Sequence, residues 1–152
     1  MKIQRVLVTT DFSPLAEQAI GPAAELAQRA EGGCLILTNV IGGQRPPKPD
    51  ASAPHFLAAK QLYEADLEQE RETLHKLEAV LKPYQGLNWR AVVGRGTAIE
   101  AILDVAKREQ ADMIVISSQG RTGLKRLILG SVAEELARVS PLPVLIWKQA
   151  AE

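Results

Sequence analysis

Five short runs constrain this chain most: "IQRVLVTT", "CLILTNV", "LNWRAVV", "DMIVISS" and "PLPVLIWK". They are nearly all apolar instead of alternating. A strand with one wet face alternates, so runs of this kind belong to strands buried on both faces. The segments between them change period. In "DFSPLAEQAIGPAAELAQRAEGG", Leu15, Ala19, Ala23, Leu26 and Ala30 recur at helical spacing. Strand and helix therefore alternate as β-α-β-α-β-α-β-α-β. Such alternation gives a parallel sheet with helices on both faces and right-handed crossovers. The fold class expected is α/β, with residues 1–152 as a single domain.

Local signals refine the elements. Ser13 suits an N-cap and Pro14 the first helical position. Pro22 lacks a backbone donor and predicts a kink or an opened turn in that first helix. Gly32 and Gly33 end the element. "IGGQRPPKPDASAPH" is too rich in Pro and Gly for regular structure. A long helix follows, about Phe56 to Leu81, with Leu62, Leu67, Leu74, Leu77 and Leu81 among its apolar positions. "GRG" links the third strand to a helix opened by Thr97 and Glu100 in capping-box spacing.

The totals exclude several functions. Lys plus Arg and Asp plus Glu balance at 18 each, so no strong overall field draws the chain to nucleic acid or anionic lipid. With one cysteine, Cys34, neither an intramolecular disulfide nor a cysteine-rich zinc site can form. Cys34 opens an apolar run and reads as a small core residue. His55 and His75 stand twenty residues apart, without metal-pair spacing. No run approaches the roughly 20 apolar residues of a membrane span. The start lacks a secretory apolar core, so the cytoplasm is the expected location.

In an open α/β sheet, ligands bind beyond the carboxyl ends of the strands, where strand order reverses. Three loops are expected there: "TTDFS", "IGGQ" and the segment "SSQGRTGLKRLILGS". Asp11 either accepts hydrogen bonds from a ribose or base amine, or complements a helix dipole. Gly120 and Gly130 bracket nine residues and allow close approach to the backbone. Gly130 and Ser131 open a helix whose first N–H groups attract anions. Ser131 and Glu134 also have capping-box spacing, so Ser131 either caps its helix or donates to a ligand. Gly123 serves the bend of the loop, and Arg121, Lys125 and Arg126 either screen phosphate charge or are simply solvated. "GRGTAI" is not a dinucleotide fingerprint, because Ile99 stands where the third glycine belongs. Neither a nucleophile elbow nor a carboxylate pair falls in the expected cleft, so no enzyme is assigned.

The sequence resembles the universal stress protein family across nearly its whole length. The resemblance is carried by "RVLVTTDFS", "GRGTAIEAILDVAKREQADMIVISSQG" and "GRTGLKRLILGSVAEELARVSPLPVLIWK". It includes the later part of the nucleotide-binding pattern G-x2-G-x9-G-(S/T), at Gly120, Gly130 and Ser131; Ser117 replaces the first glycine. The resemblance implies a Rossmann-like three-layer sandwich with strand order 3-2-1-4-5. It implies ATP as ligand, with Mg²⁺ accompanying the triphosphate. Thr9, Thr10 and Asp11 would meet the adenine and ribose side, Val40 the adenine, and Gly120, Gly130, Ser131 and Val132 the phosphates. It also implies a homodimer through the last strand, around Val144 to Trp147, and a regulatory role in stress response. Ser117 supports the alternative: a dimeric interaction protein that does not bind ATP.

Overall fold

The computed structural model describes residues 1–119 and 129–148. The described elements are β1 (Arg5–Thr9), α1 (Pro14–Glu17), α2 (Ile20–Gln28), β2 (Cys34–Ile41), α3 (Phe56–Leu81), β3 (Asn88–Arg95), α4 (Ala98–Arg108), β4 (Met113–Ser117), α5 (Ser131–Val139) and β5 (Val144–Trp147). The five strands form one sheet in the order β3-β2-β1-β4-β5. Every adjacent pair is parallel. The expected fold class and strand order are the observed ones.

Two apolar layers fill the faces of the sheet. On one face Val6, Val8, Leu35 and Leu37 meet Ile20, Ala23 and Ala27 of α2 and Leu77 and Leu81 of α3. On the other, Leu7, Ile36, Ile114 and Ile116 meet Ile102 and Val105 of α4 and Ala133 and Leu136 of α5. The central strand β1 is fully buried at Val6, Leu7 and Val8, which explains why its sequence does not alternate. Cys34 is buried in the second layer.

Three local expectations are corrected. The opening expected in the first helix is present, but it falls at Gln18–Ala19, before Pro22, and makes two helices of it. Pro22 is the third residue of α2, and its missing N–H is the one that would have bonded to the Gln18 carbonyl. Breaking the chain there leaves Pro22 in a first turn, where no intrahelical donor is needed. The third strand runs on through Gly94 and Arg95, paired with Val40 and Ile41, so only Gly96 remains as the link. Its positive φ of 111° makes the turn. A Cβ at Gly94 would stand 3.4 Å from Ala101, Val105 and Val40, so this strand glycine admits α4 close to the sheet. Finally, Thr97 is the N-cap of α4, but its hydroxyl donates to the Glu100 carboxylate at 3.0 Å without capping a backbone N–H.

Helix α3 matches its expected bounds but not its expected burial. Leu77 and Leu81 are buried, whereas Leu62 is 65% exposed and Leu67 39% exposed. At about 1.5 Å per residue, 26 residues span ~39 Å, while an eight-residue strand spans ~26 Å. The helix overhangs the sheet, and among the described residues its amino-terminal half is only half-buried, at Phe56, Ala59, Tyr63 and Asp66.

Candidate functional site

A cleft of about 480 Å³ opens beyond the carboxyl ends of β1, β2 and β4. It lies where the strand order reverses between β1 and β4, the position such sheets reserve for ligands. Its size falls within the range of small-molecule pockets. Thr9, Thr10, Asp11, Val40, Ser117, Gly130, Ser131 and Val132 all line it. Gly120 lies outside the described residues, as do Arg121, Gly123, Lys125 and Arg126.

One wall is a tight turn written into "TTDFS". Thr10 continues the ladder by donating its N–H to the Thr38 carbonyl at 2.9 Å. Its hydroxyl oxygen accepts the Phe12 N–H at 2.9 Å. Asp11 Oδ1 accepts the Ser13 N–H at 2.9 Å, and Ser13 Oγ accepts the Ala16 N–H at 3.2 Å. Successive hydroxyl and carboxylate acceptors thus replace regular structure. The turn forces Phe12 into the left-handed region at φ 63°, which costs a non-glycine residue roughly 1–2 kcal/mol. Packing against the α2–α3 layer and a Lys76 ammonium 5.9 Å from the ring centroid hold Phe12 there. Asn39 ties in the neighbouring strand by donating its amide to the Thr10 carbonyl at 2.8 Å. Asp11 therefore has a structural role that the sequence reading did not give it: it shapes the turn that presents it.

The opposite wall joins the end of β4 to the start of α5. Ser118 donates its N–H to Trp147 O at 2.8 Å, and its carbonyl accepts the Gly130 N–H at 2.7 Å. A Cβ on Gly130 would stand 3.0 Å from that carbonyl. Gly130 has φ −59°, so close approach and not a left-handed backbone requires glycine here. Gly130, not Ser131, is the N-cap of α5, and the N-cap residue contributes no side-chain cap. The capping alternative for Ser131 is thereby corrected: Ser131 is the first helical residue. The first intrahelical bond runs from the Glu134 N–H to the Gly130 carbonyl at 2.9 Å. The N–H groups of Ser131, Val132 and Ala133 consequently have no partner within the helix, and all three residues line the cleft. Their donors and the positive end of the helix dipole suit an anion.

Between these walls the lining is apolar, at Val40, Ile102 and Ile116. Thr38 is paired with Thr9 in register, and its hydroxyl is fully buried without a hydrogen-bond partner among the described residues. Asp11 is the only acidic or basic residue among the described lining residues. Ser117 and Ser118 line the cleft without closing it. The sequence reading missed Asn39 and the contribution of the β3–α4 turn, Gly96 and Ala98. The strand order carried that signal, since it sets the end of β3 beside the end of β2. Among the described residues, no group of three or more His, Cys, Asp or Glu is arranged to hold a metal ion.

The sequence profile of the universal stress protein family matches residues 2–148. The stress response protein NhaX of Bacillus subtilis is 49% identical over 164 residues, covering 95% of this chain and 97% of its own. Universal stress protein MJ0577 of Methanocaldococcus jannaschii is 29% identical in sequence, over 96% of this chain and 95% of its own. Its solved structure superposes with a TM-score of 0.77 at 26% identity over the whole of both chains. An Arabidopsis thaliana family protein solved with AMP bound shares the fold, with a TM-score of 0.63 at 19% identity over 97% of this chain and 93% of that one. Fold, cleft position and profile agree, and the chain belongs to the universal stress protein family.

Proposed function

We propose that the cleft binds an adenine nucleotide, ATP with Mg²⁺ entering on the triphosphate, and that the protein is a regulatory stress-response module of the cytoplasm. One observation carries the reading: the Asp11 carboxylate and the N–H groups that open α5 line a single cleft with an apolar middle. A flat base suits Val40, Ile102 and Ile116; a ribose suits Asp11; a polyphosphate suits the Ser131–Ala133 donors. AMP in the Arabidopsis relative supports the ligand class. Bound nucleotide would stabilise the fold and present a nucleotide-dependent surface to a partner. No nucleophile or general base is assigned, so the role is binding and not catalysis. Edge strand β5 supports a homodimer, with Trp147 37% exposed on it.

Denaturing freshly purified protein and chromatographing the supernatant tests this directly. An adenine nucleotide near one per chain is expected, together with a rise in melting temperature on adding millimolar Mg-ATP. Absence of both would favour the second reading, a dimeric interaction protein without ATP. That reading draws on Ser117, which lines the cleft where the family pattern has glycine.

A further inference from the structure

The loop after β2 and the turn after β3 form one side of the cleft mouth, through Gly42 and Gly96. They are joined by a hydrogen bond from the Gly96 N–H to the Ile41 carbonyl at 3.2 Å. Next to this bond lies an ion cluster with no part in lining the cleft. Arg95 clamps Asp66 of α3 with two parallel bonds of 2.7 and 2.8 Å. It also donates to Glu70 at 2.8 and 3.3 Å. Arg45, from the proline-rich loop, reaches the same two carboxylates, with Nε 3.5 Å from Asp66 and its other end on Glu70. Two positive and two negative groups close a neutral network, and the Arg95 and Asp66 side chains are only 19% and 12% exposed. Partial burial strengthens such a network and limits its screening. The planar fork of arginine gives the Arg95 contact its geometry.

We propose that Asp66, Glu70, Arg95 and Arg45 form a latch between the middle of α3, the end of β3 and the loop after β2. The latch holds the Gly42–Gly96 side of the cleft mouth together, keeps the mouth from widening, and so sets how fast a ligand enters and leaves. This also assigns a task to Asp66 and Glu70, the half-buried carboxylates of α3 that continue the stripe of Phe56, Ala59 and Tyr63. Pro46, Pro47 and Pro49 follow Arg45 directly. Their fixed φ stiffens the loop, so anchoring at Arg45 restrains more than one residue. The kinetic part rests on the cleft being a ligand site; the opening of the mouth does not.

Hydrogen exchange at the Gly96 amide tests the latch without any ligand. Arg45→Gln is expected to speed that exchange about two- to fivefold, the effect of losing a partly exposed ion pair. Lys48→Gln, a charge loss in the same loop outside the network, should leave it unchanged. Adding Glu70→Gln to Arg45→Gln should give less than the product of the single effects, because the two share one interaction. Equal Gly96 exchange in wild type and Arg45→Gln would overturn the latch. With a fluorescent ATP analogue, Arg45→Gln should raise the association and dissociation rates by a similar factor and leave Kd nearly constant. Unchanged rates beside faster exchange would overturn the control of entry. Failure of the wild-type chain to bind the analogue would instead remove the nucleotide reading, and the exchange result would still decide the latch.

Discussion

At Gly130 the chain turns into α5 against the Ser118 carbonyl, where a side chain would stand 3.0 Å away. Gly130→Ala should therefore lower stability by about 1–3 kcal/mol in urea denaturation, the range for forcing atoms into a packed site. It should weaken nucleotide binding as well, since the Ser131–Ala133 donors move with the helix start. Asp11 needs two substitutions. Asp11→Asn keeps an oxygen for the Ser13 N–H and removes the charge, whereas Asp11→Ala removes both. If the carboxylate meets the ribose, both should lose about 1–3 kcal/mol of ATP affinity by calorimetry. Only the alanine variant should also lose thermal stability. Burial pushes the Cys34 thiol above its ordinary pKa, with Arg5 and Arg90 opposing. The unfolded chain then releases this proton first as pH rises past roughly 8.5, so the thiol's contribution is complete below that pH and lost above it. The fall in stability between pH 8 and 10 should be shallower in Cys34→Ala. The sequence showed which of these residues face one edge of the sheet. It did not show that Gly130 owes its identity to a carbonyl, because that carbonyl belongs to a residue twelve positions earlier.

At the scale of elements, α3 behaves as two helices joined end to end. Its carboxyl-terminal half is core: Leu77→Ala should cost about 2–5 kcal/mol. Its amino-terminal half is surface: Leu62→Ser should change stability by no more than about 0.5 kcal/mol. Chemical denaturation of both variants checks the contrast. Helical periodicity marks both halves alike, so only the finite length of the sheet separates them. Strand and helix placement was otherwise legible because apolar runs and caps act over a few residues. The break before Pro22 was legible as a disturbance but not in position, since the proline displaces the break to the carbonyl four residues before it. The extension of β3 through Gly94 was hidden by a glycine pair that reads as one turn: Gly96 makes the turn, whereas Gly94 is a strand residue that admits α4.

Across the whole molecule, the sheet ends in β5, where Pro143 and Trp147 accept bonds from Ile114 and Ser118. The intervening residues Val144 and Ile146 turn their backbone groups away from β4, toward the edge of the described sheet. A homodimer through that edge should weaken when the exposed indole is removed. Trp147→Ala is expected to raise the dimer dissociation constant at least tenfold in sedimentation equilibrium, the scale of an interface anchor. Alternation of strand and helix already implied a parallel sheet, but its order became readable only through the family likeness, because apolar strands carry no label for their neighbours. That order has a consequence for synthesis. Residues 4 and 5 donate to the carboxylate of Asp112, over a hundred positions later. The centre of the sheet is made first and its second neighbour emerges late, so a growing chain carries β1, β2 and β3 as a half-sheet with one bare apolar rim. Until β4 leaves the ribosome that rim is exposed to other chains, and a ribosome stalled before residue 113 would release a fragment prone to aggregate.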